Sequence, residues 1–200
     1  SSDVCSSDLI TNPQLDITEI RQRKTVCPST TGGINWNSIA YSPQTNALYA
    51  PTNNVCMDYY LNPVNPRVGG YHSSAVSRKI SVPEGDEQIG IFSAVDVSSG
   101  ETLWSYKQRA AITGSVLTTG GGLAFVTDDA RRLRAFDVDN GRILWEQILN
   151  SSAGGFPTTY SVDGTQYIAI AAGGGVSHRA LTPEIQQRRG GNTLFVFRLP

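Results

Sequence analysis

The sequence predicts an all-β protein, a partial β-propeller of about three four-stranded blades. The first observation is a repeat: residues 94–104 read AVDVSSGETLW, and residues 135–145 read AFDVDNGRILW. A repeat of about 40 to 50 residues that holds four short strands is typical of propeller blades. The second observation is that short apolar runs alternate with turns rich in Gly, Asn and Asp. Three blades cannot close a ring, so they expose strand edges that favour aggregation.

Each copy of the repeat has an Asp four positions before a Gly, as in Asp96 and Gly100. Gly can take the positive φ that a tight turn requires, and the Asp side chain can accept hydrogen bonds from nearby backbone amides. Each copy ends in a Trp, at Trp104 and Trp145. We expect these large rings to pack against the neighbouring blade, and therefore interpret both as structural.

The first half of the chain is less regular. Residues 1–10 repeat SSD, share nothing with the later pattern and are interpreted as non-native sequence, so the predicted propeller domain covers residues 11–200. Residues 11–26 are predicted to form an extended lead-in. Residues 39–52 predict a hairpin around a Pro-Gln-Thr-Asn turn. Residues 53–88 contain too much Pro, Gly and Ser for a regular element and predict a long loop.

The second half supplies the rest of the blades. Strands within residues 90–107 complete the first blade together with the hairpin. Residues 114–148 predict a whole blade, with strands at GSVLTT, LAFVTD, RLRAFDV and ILWEQI. The last blade has a hairpin within residues 156–172, an insertion rich in Gly and Arg, and a final strand at residues 193–199. It is one strand short, and we expect that strand to come from sequence upstream of residue 1.

Composition excludes some classes of partner. The 200 residues carry 16 Lys and Arg against 17 Asp and Glu, so no excess of positive charge is available for nucleic acid or an anionic membrane. No apolar run approaches the roughly 20 residues that span a bilayer. The first residues also lack the basic and then apolar pattern of a secretory signal.

Most polar residues suggest no chemistry. The two histidines, His72 and His178, lie far apart without Cys or carboxylates at metal-ligand spacing, so both are interpreted as surface residues. Asp128 and Asp129, followed by two Arg, are interpreted as a solvated turn. No residue of this chain is assigned a catalytic or metal-binding role.

The segment between residues 27 and 60 is the densest in unusual residues. Cys27 and Cys56 leave an even pair once Cys5 is set aside; they form either a disulfide, which would indicate an oxidising compartment, or two buried thiols. Asn35 and Trp36 follow a glycine pair. Taken alone, they would be interpreted as a turn residue and a core residue.

Several motifs, in order, are similar to the C-terminal part of the pyrroloquinoline-quinone-dependent (quinoprotein) alcohol dehydrogenases. The resemblance covers about residues 24–200. It rests on the Trp repeat together with these segments: Cys-Pro-Ser at 27–29, Gly-Gly-Ile-Asn-Trp at 32–36, Ala-Tyr-Ser-Pro at 40–43, Asn-Asn-Val-Cys-Met-Asp at 53–58, 114–122 and 156–175.

The resemblance implies a propeller of eight four-stranded blades with the quinone on its axis. It implies that Asn35 and Trp36 contact the quinone, that Cys27 and Cys56 form a disulfide, and that the compartment is the periplasm. The catalytic Asp and the ligands of a calcium or lanthanide ion would lie in upstream blades. The full protein would oxidise a small alcohol to an aldehyde and pass electrons to a cytochrome c or a fused haem domain, while this chain alone would be inactive.

Two features depart from the family pattern. Thr113 stands where many members have a Trp, which removes one contact with the quinone, and the insertion at residues 176–192 matches no pattern with a known role. A second hypothesis, a non-catalytic propeller of the same repeat family acting as an interaction scaffold, needs only the Trp repeat. Gly-Gly-Ile-Asn-Trp and the spacing of Cys27 and Cys56 discriminate against it, because a scaffold has no need of them.

Overall fold

A computed structural model describes residues 12–30, 33–64, 68–70, 75–174, 178–185 and 191–199. Within these ranges the chain forms fourteen β-strands in four antiparallel sheets and one short 3-10 turn at Pro13–Leu15. The described residues include no helix long and apolar enough to cross a membrane. The predicted all-β class is confirmed. His72, Cys5 and residues 1–10 lie outside the described ranges.

The first two blades are four-stranded sheets, as predicted. The first blade has the order β2, β3, β6, β7, with strands at Ala40–Ser42, Ala47–Asn53, Gly90–Asp96 and Thr102–Gln108. The second has the order β11, β10, β9, β8, with strands β8 to β11 at Leu117–Thr118, Leu123–Thr127, Arg132–Asp137 and Ile143–Ile148. Strand β8 is shorter than GSVLTT predicts, because the amides of Ser115 and Val116 donate to Gly155 and Ser38 in the neighbouring blades.

The third blade is three-stranded over the described residues, in the order β12, β13, β14. Its strands are Thr158–Val162, Thr165–Ala172 and Thr193–Arg198. The hairpin and the final strand were predicted.

A fourth sheet was not predicted. Strand β4 (Cys56–Leu61) pairs with β1 (Lys24–Val26) on one side and β5 (Ala75–Ser81) on the other. Two of these strands lie within residues 53–88, where we predicted a loop, and that prediction is wrong. Pro, Gly and Asn between the strands mark their connections, while the pairing partner β1 comes from the lead-in.

The blades pack through residues that alternate along the middle strands. In β10, Phe136 faces the first blade while Leu133 and Ala135 face the third. In β9, Val126 faces the first blade and Phe125 faces the third. Both faces of the second blade are therefore buried, because side chains alternate across a strand.

The repeat Trp residues connect neighbouring blades, as predicted. The Trp104 indole nitrogen donates to the Val138 carbonyl oxygen over 2.9 Å, and its ring stacks on Phe136 with centroids 6.5 Å apart. The Trp145 ring meets Phe197 of the third blade edge to face at 5.3 Å. The repeat turn is also as predicted: the Asp96 carboxylate accepts from the amides of Ser98 and Ser99, as its lowered pKa reflects.

Candidate functional site

The candidate site is built on the segment that precedes β2, described at residues 27–30 and 33–38 and called the strap below. Its first half is fastened to the sheets by backbone hydrogen bonds. The Ser29 amide donates to the Val55 carbonyl over 2.6 Å, and Gly33 exchanges two hydrogen bonds with Asn53 at 3.0 and 3.2 Å. Gly33 has a φ of 70°, a conformation that favours glycine.

A disulfide joins the strap to β4. It links Cys27 and Cys56, whose Cα atoms are 4.4 Å apart, so the predicted pair is present. The peptide bond between Cys27 and Pro28 is cis. Behind it, the Thr30 hydroxyl lies 3.7 Å from the Met57 sulfur. The covalent bond fixes the start of the strap on the sheet.

The other end of the strap is tied to the second blade. The Asn37 side-chain amide donates to the Thr113 carbonyl, and the Ser38 amide donates to the Ser115 hydroxyl over 3.0 Å. The Val116 amide in turn donates to the Ser38 carbonyl over 3.0 Å. Asn35 and Trp36 therefore lie between two anchored points.

Trp36 lines an open cleft of about 640 Å³. Its side chain is 60% exposed, which is unusual for so large an apolar group. The opposite wall comes from the third blade: Gly154, Gly155, Ala171 to Gly174, and Asn192 to Leu194. Four of these are glycines, and a Cβ added at any of the four would lie within 4 Å of the protein's own backbone or of Asn192. An exposed indole on the wall of an open cleft can stack on a flat ring system.

Asn35 is exposed and does not line this cleft. Among the described residues, its side-chain amide contacts the Thr30 carbonyl at 3.5 Å. The structure thus brings Trp36, but not Asn35, to the cleft wall. A contact between either residue and a cofactor stays a prediction.

Sequence reasoning missed a buried polar cluster behind the strap. Asp129 and His178 are 0% and 2% exposed, and the His178 Nδ1 lies 4.0 Å from an Asp129 carboxylate oxygen. His178 was predicted to be a surface residue, and this is wrong. Burial raises the pKa of Asp129 to about 7, against the opposing effect of the Thr113 hydroxyl and the His178 backbone, and burial lowers the pKa of His178.

The predicted solvated turn at Asp128 and Asp129 is also wrong, because both side chains are buried. Asp128 accepts from the Arg134 guanidinium at 2.7 Å, an ion pair within the second blade, and from the Gln108 amide of the first blade at 3.1 Å. Asp129 points to His178. Arg134, which stands between the apolar residues Leu133 and Ala135 in the middle of a strand, was the sequence signal that Asp128 has a buried partner.

The described part of the insertion, residues 178–185, is held against the blades by Arg109. The guanidinium donates to the Glu184 carboxylate over 2.7 Å, to the Glu87 carbonyl over 3.1 Å and to the Leu181 carbonyl. The insertion therefore covers Asp129. Thr113 is buried and is not among the residues that line the cleft, and the loss of a quinone contact at this position stays a prediction.

The described residues contain no group of three His, Cys, Asp or Glu that could hold a metal ion.

Comparison with known proteins connects this arrangement to one family. Residues 93–168 match the family described as PQQ: Glucose/ethanol/alcohol dehydrogenase, beta-propeller domain. Over 88% of its length the chain is 34% identical to 1-butanol dehydrogenase (quinone) of Thauera butanivorans, and over 76% it is 34% identical to the lanthanide-dependent methanol dehydrogenase of Methylacidiphilum fumariolicum.

The fold agrees with this. The crystal structure of the quinohemoprotein alcohol dehydrogenase from Comamonas testosteroni superimposes with a TM-score of 0.73 over 89% of this chain, at 26% identity. The chain spans 28% of the length of that protein and of the Thauera enzyme, and 25% of the Methylacidiphilum enzyme. It thus resembles about a quarter of a quinoprotein alcohol dehydrogenase.

Proposed function

We infer that this chain is a segment of a quinoprotein alcohol dehydrogenase and supplies one wall of its quinone pocket. The observation that supports this is Trp36, an exposed indole fixed over a glycine-lined cleft by a strap anchored at both ends. A planar quinone can stack on the exposed indole. Asn35, next to it and weakly engaged, can turn its amide toward a quinone carbonyl oxygen.

The reaction of the whole protein is proposed to be oxidation of an alcohol to an aldehyde, and the quinone, when bound, accepts the two electrons. This chain's residues bind and orient that ring and exclude water from one of its faces. The catalytic base and the ligands of a calcium or lanthanide ion are proposed to lie in the other blades. The isolated chain is therefore proposed to have no turnover.

The substrate, the electron acceptor and the compartment of the whole protein are also proposals. A small alcohol is the proposed substrate, and a cytochrome c or a fused haem domain is the proposed electron acceptor, as the quinohemoprotein relative suggests. A disulfide persists in an oxidising environment, which agrees with a periplasmic location.

Replacement of Trp36 tests the proposal. The test uses the whole protein, called the full chain below. Trp36→Ala in the full chain is expected to weaken pyrroloquinoline quinone binding about tenfold, or about 1.4 kcal/mol, because one aromatic stacking face is lost. Equilibrium dialysis with the free quinone measures the dissociation constant. Leu103→Ala is the control, since Leu103 is 52% exposed on the outer strand of the first blade.

An unchanged affinity in Trp36→Ala would remove Trp36 from the pocket. A full chain that does not bind the quinone at all would instead favour the interaction scaffold, for which the Trp104 and Trp145 contacts between blades are sufficient.

A further inference from the structure

We propose that Asp129 and His178 form a buried pair that positions Trp36 from behind, through Thr113, so that gain or loss of a proton in the pair shifts the Trp36 wall of the cleft. The proposal rests on the proposed function only in taking that wall as the quinone site. Neither residue touches the cleft. Both are therefore assigned as positioning residues.

Asp129 lies in the turn that follows strand β9 of the second blade. The Asp129 amide donates to the Ala111 carbonyl over 2.9 Å, which fixes its backbone. Its carboxyl is completely buried, faces the Thr113 side chain and lies 4.0 Å from the His178 Nδ1. A change of charge at this carboxyl therefore acts first on Thr113 and on His178, because all three side chains are buried and electrostatic interactions are stronger in a buried environment.

Thr113 connects the pair to the strap. Its carbonyl accepts the Asn37 side-chain amide, and its own amide donates to the Thr127 carbonyl over 3.3 Å. Asn37 follows Trp36 directly in the chain. A displacement of Thr113 is thus passed to Trp36 through a single hydrogen bond and one peptide unit.

The segment at residues 178–185 keeps the pair away from solvent. The Leu181 amide and the Thr182 hydroxyl both donate to the His178 carbonyl, at 2.9 and 3.3 Å, and fold the segment into a turn. Arg109 holds that turn against the blades through Glu184 and the Leu181 carbonyl. Asp129 cannot become hydrated unless this cover opens.

Few charged groups face Asp129. On its own turn, Asp128 pairs with Arg134 and its charge also raises the pKa of Asp129; from the covering segment, His178 faces Asp129 directly. Arg109 and Glu184 pair with each other at the exposed rim. No Lys or Arg among the described residues forms an ion pair with Asp129, so burial dominates and its pKa is about 7.

The sign of the pH dependence follows. The folded chain keeps a proton on Asp129 that the unfolded chain releases at its ordinary pKa of 3.8, so stability falls as the pH rises from about 4 to about 7 and then levels off. His178, with a lowered pKa, acts in the opposite direction: stability is lost as the pH falls below 6.5. Near pH 6.5 the lowered pKa of His178 favours its neutral form and most Asp129 is protonated, and above about pH 7 the carboxylate becomes charged.

Fluorine NMR of the full chain labelled with 5-fluorotryptophan tests the proposal without the quinone. The Trp36 resonance is identified by its loss in Trp36→Phe. It is expected to shift with a midpoint near pH 7 in the native chain and to stop titrating in Asp129→Asn, which keeps the size of the side chain. Asp163→Asn is the control, because Asp163 is exposed at a turn with a φ of 49° that Asn tolerates.

Thr113→Val provides a second variant in case Asp129→Asn does not fold. It keeps the shape of the side chain and the backbone carbonyl while removing the hydroxyl that faces Asp129, and it is expected to reduce the amplitude of the Trp36 titration. A Trp36 resonance that does not titrate, or that titrates unchanged in both variants, overturns the proposal. Loss of the titration in His178→Gln but not in Asp129→Asn overturns the role of Asp129.

Dialysis with free pyrroloquinoline quinone separates this proposal from the proposed function. If both hold, the ratio of dissociation constants at pH 8 and pH 6 differs about fivefold between the native chain and Asp129→Asn, a comparison that cancels the titration of the quinone itself. A titrating Trp36 in a chain that does not bind the quinone leaves the positioning intact and rejects the proposed function. A full chain that binds the quinone but whose Trp36 resonance does not titrate supports the proposed function and rejects the positioning role of Asp129 and His178.

Discussion

The layer between the first two blades and the strap that carries Trp36 are held by different interactions. In the layer, Phe92 is completely buried and meets Trp104 and Phe136 at ring centroid distances of 5.4 and 5.0 Å. The strap leaves Ile34 and Trp36 exposed and is fixed by a disulfide and hydrogen bonds. Repeated residues thus build the packed first two blades, called the frame below, while the exposed Trp36 of the cleft lies in the unrepeated strap.

The largest expected effect tests the frame. Phe92→Ala removes a completely buried ring and its aromatic contacts, and is expected to lower the free energy of unfolding by about 3 to 5 kcal/mol. Urea denaturation followed by circular dichroism measures the loss. Leu103→Ala on the exposed outer strand of the same blade should change stability by less than about 1 kcal/mol, and an equal loss in both variants would contradict the assignment of Phe92 to the core.

The disulfide tests the strap. Replacing Cys27 and Cys56 by Ser together is expected to cost about 3 kcal/mol, because the bridge closes a loop with a sequence separation of 29 residues and restricts the unfolded chain. Unlike Phe92→Ala, this change should also alter the Trp36 fluorine resonance under native conditions. Cys5→Ser is the matched control, since it changes a cysteine and leaves the bridge intact.

If the double variant loses stability but the Trp36 resonance is unchanged, the bridge stabilises the sheet without positioning the strap. Mass spectrometry of the unreduced native chain that found both thiols free would remove the bridge itself.

The two regions also differ in how far the sequence predicts them. The turn at Asp96 and the contact of Trp104 with the next blade follow from local chemistry that occurs twice in the chain, so the repeat predicts both. The role of the strap could be proposed only from the family resemblance, because Asn35 and Trp36 alone look like a turn and a core residue. The strap is also anchored to Thr113, which belongs to the second blade. The sequence around the strap therefore contains no pattern that predicts this contact.

The errors share one cause. Strands β4 and β5 depend on β1, which comes from the lead-in, and their own neighbourhood is rich in Pro and Gly. Asp129 is buried only because the segment containing His178 returns from the third blade to cover it. In both places a distant segment decides the environment, and composition within a window of ten residues cannot report it.

The smallest effect we predict compares two turn glycines that both have positive φ. Gly141 and Gly164 both have positive φ, at 70° and 77°, so alanine at either is strained by about 1 kcal/mol. A Cβ at Gly141 would also lie 2.5 Å from the Trp104 ring, whereas one at Gly164 would meet nothing within 4 Å. Gly141→Ala should therefore cost about 2 kcal/mol more than Gly164→Ala, since the ring must move to relieve the overlap. Equal losses in urea denaturation would mean that Trp104 is not fixed against the next blade, and that the frame is as adaptable as the strap.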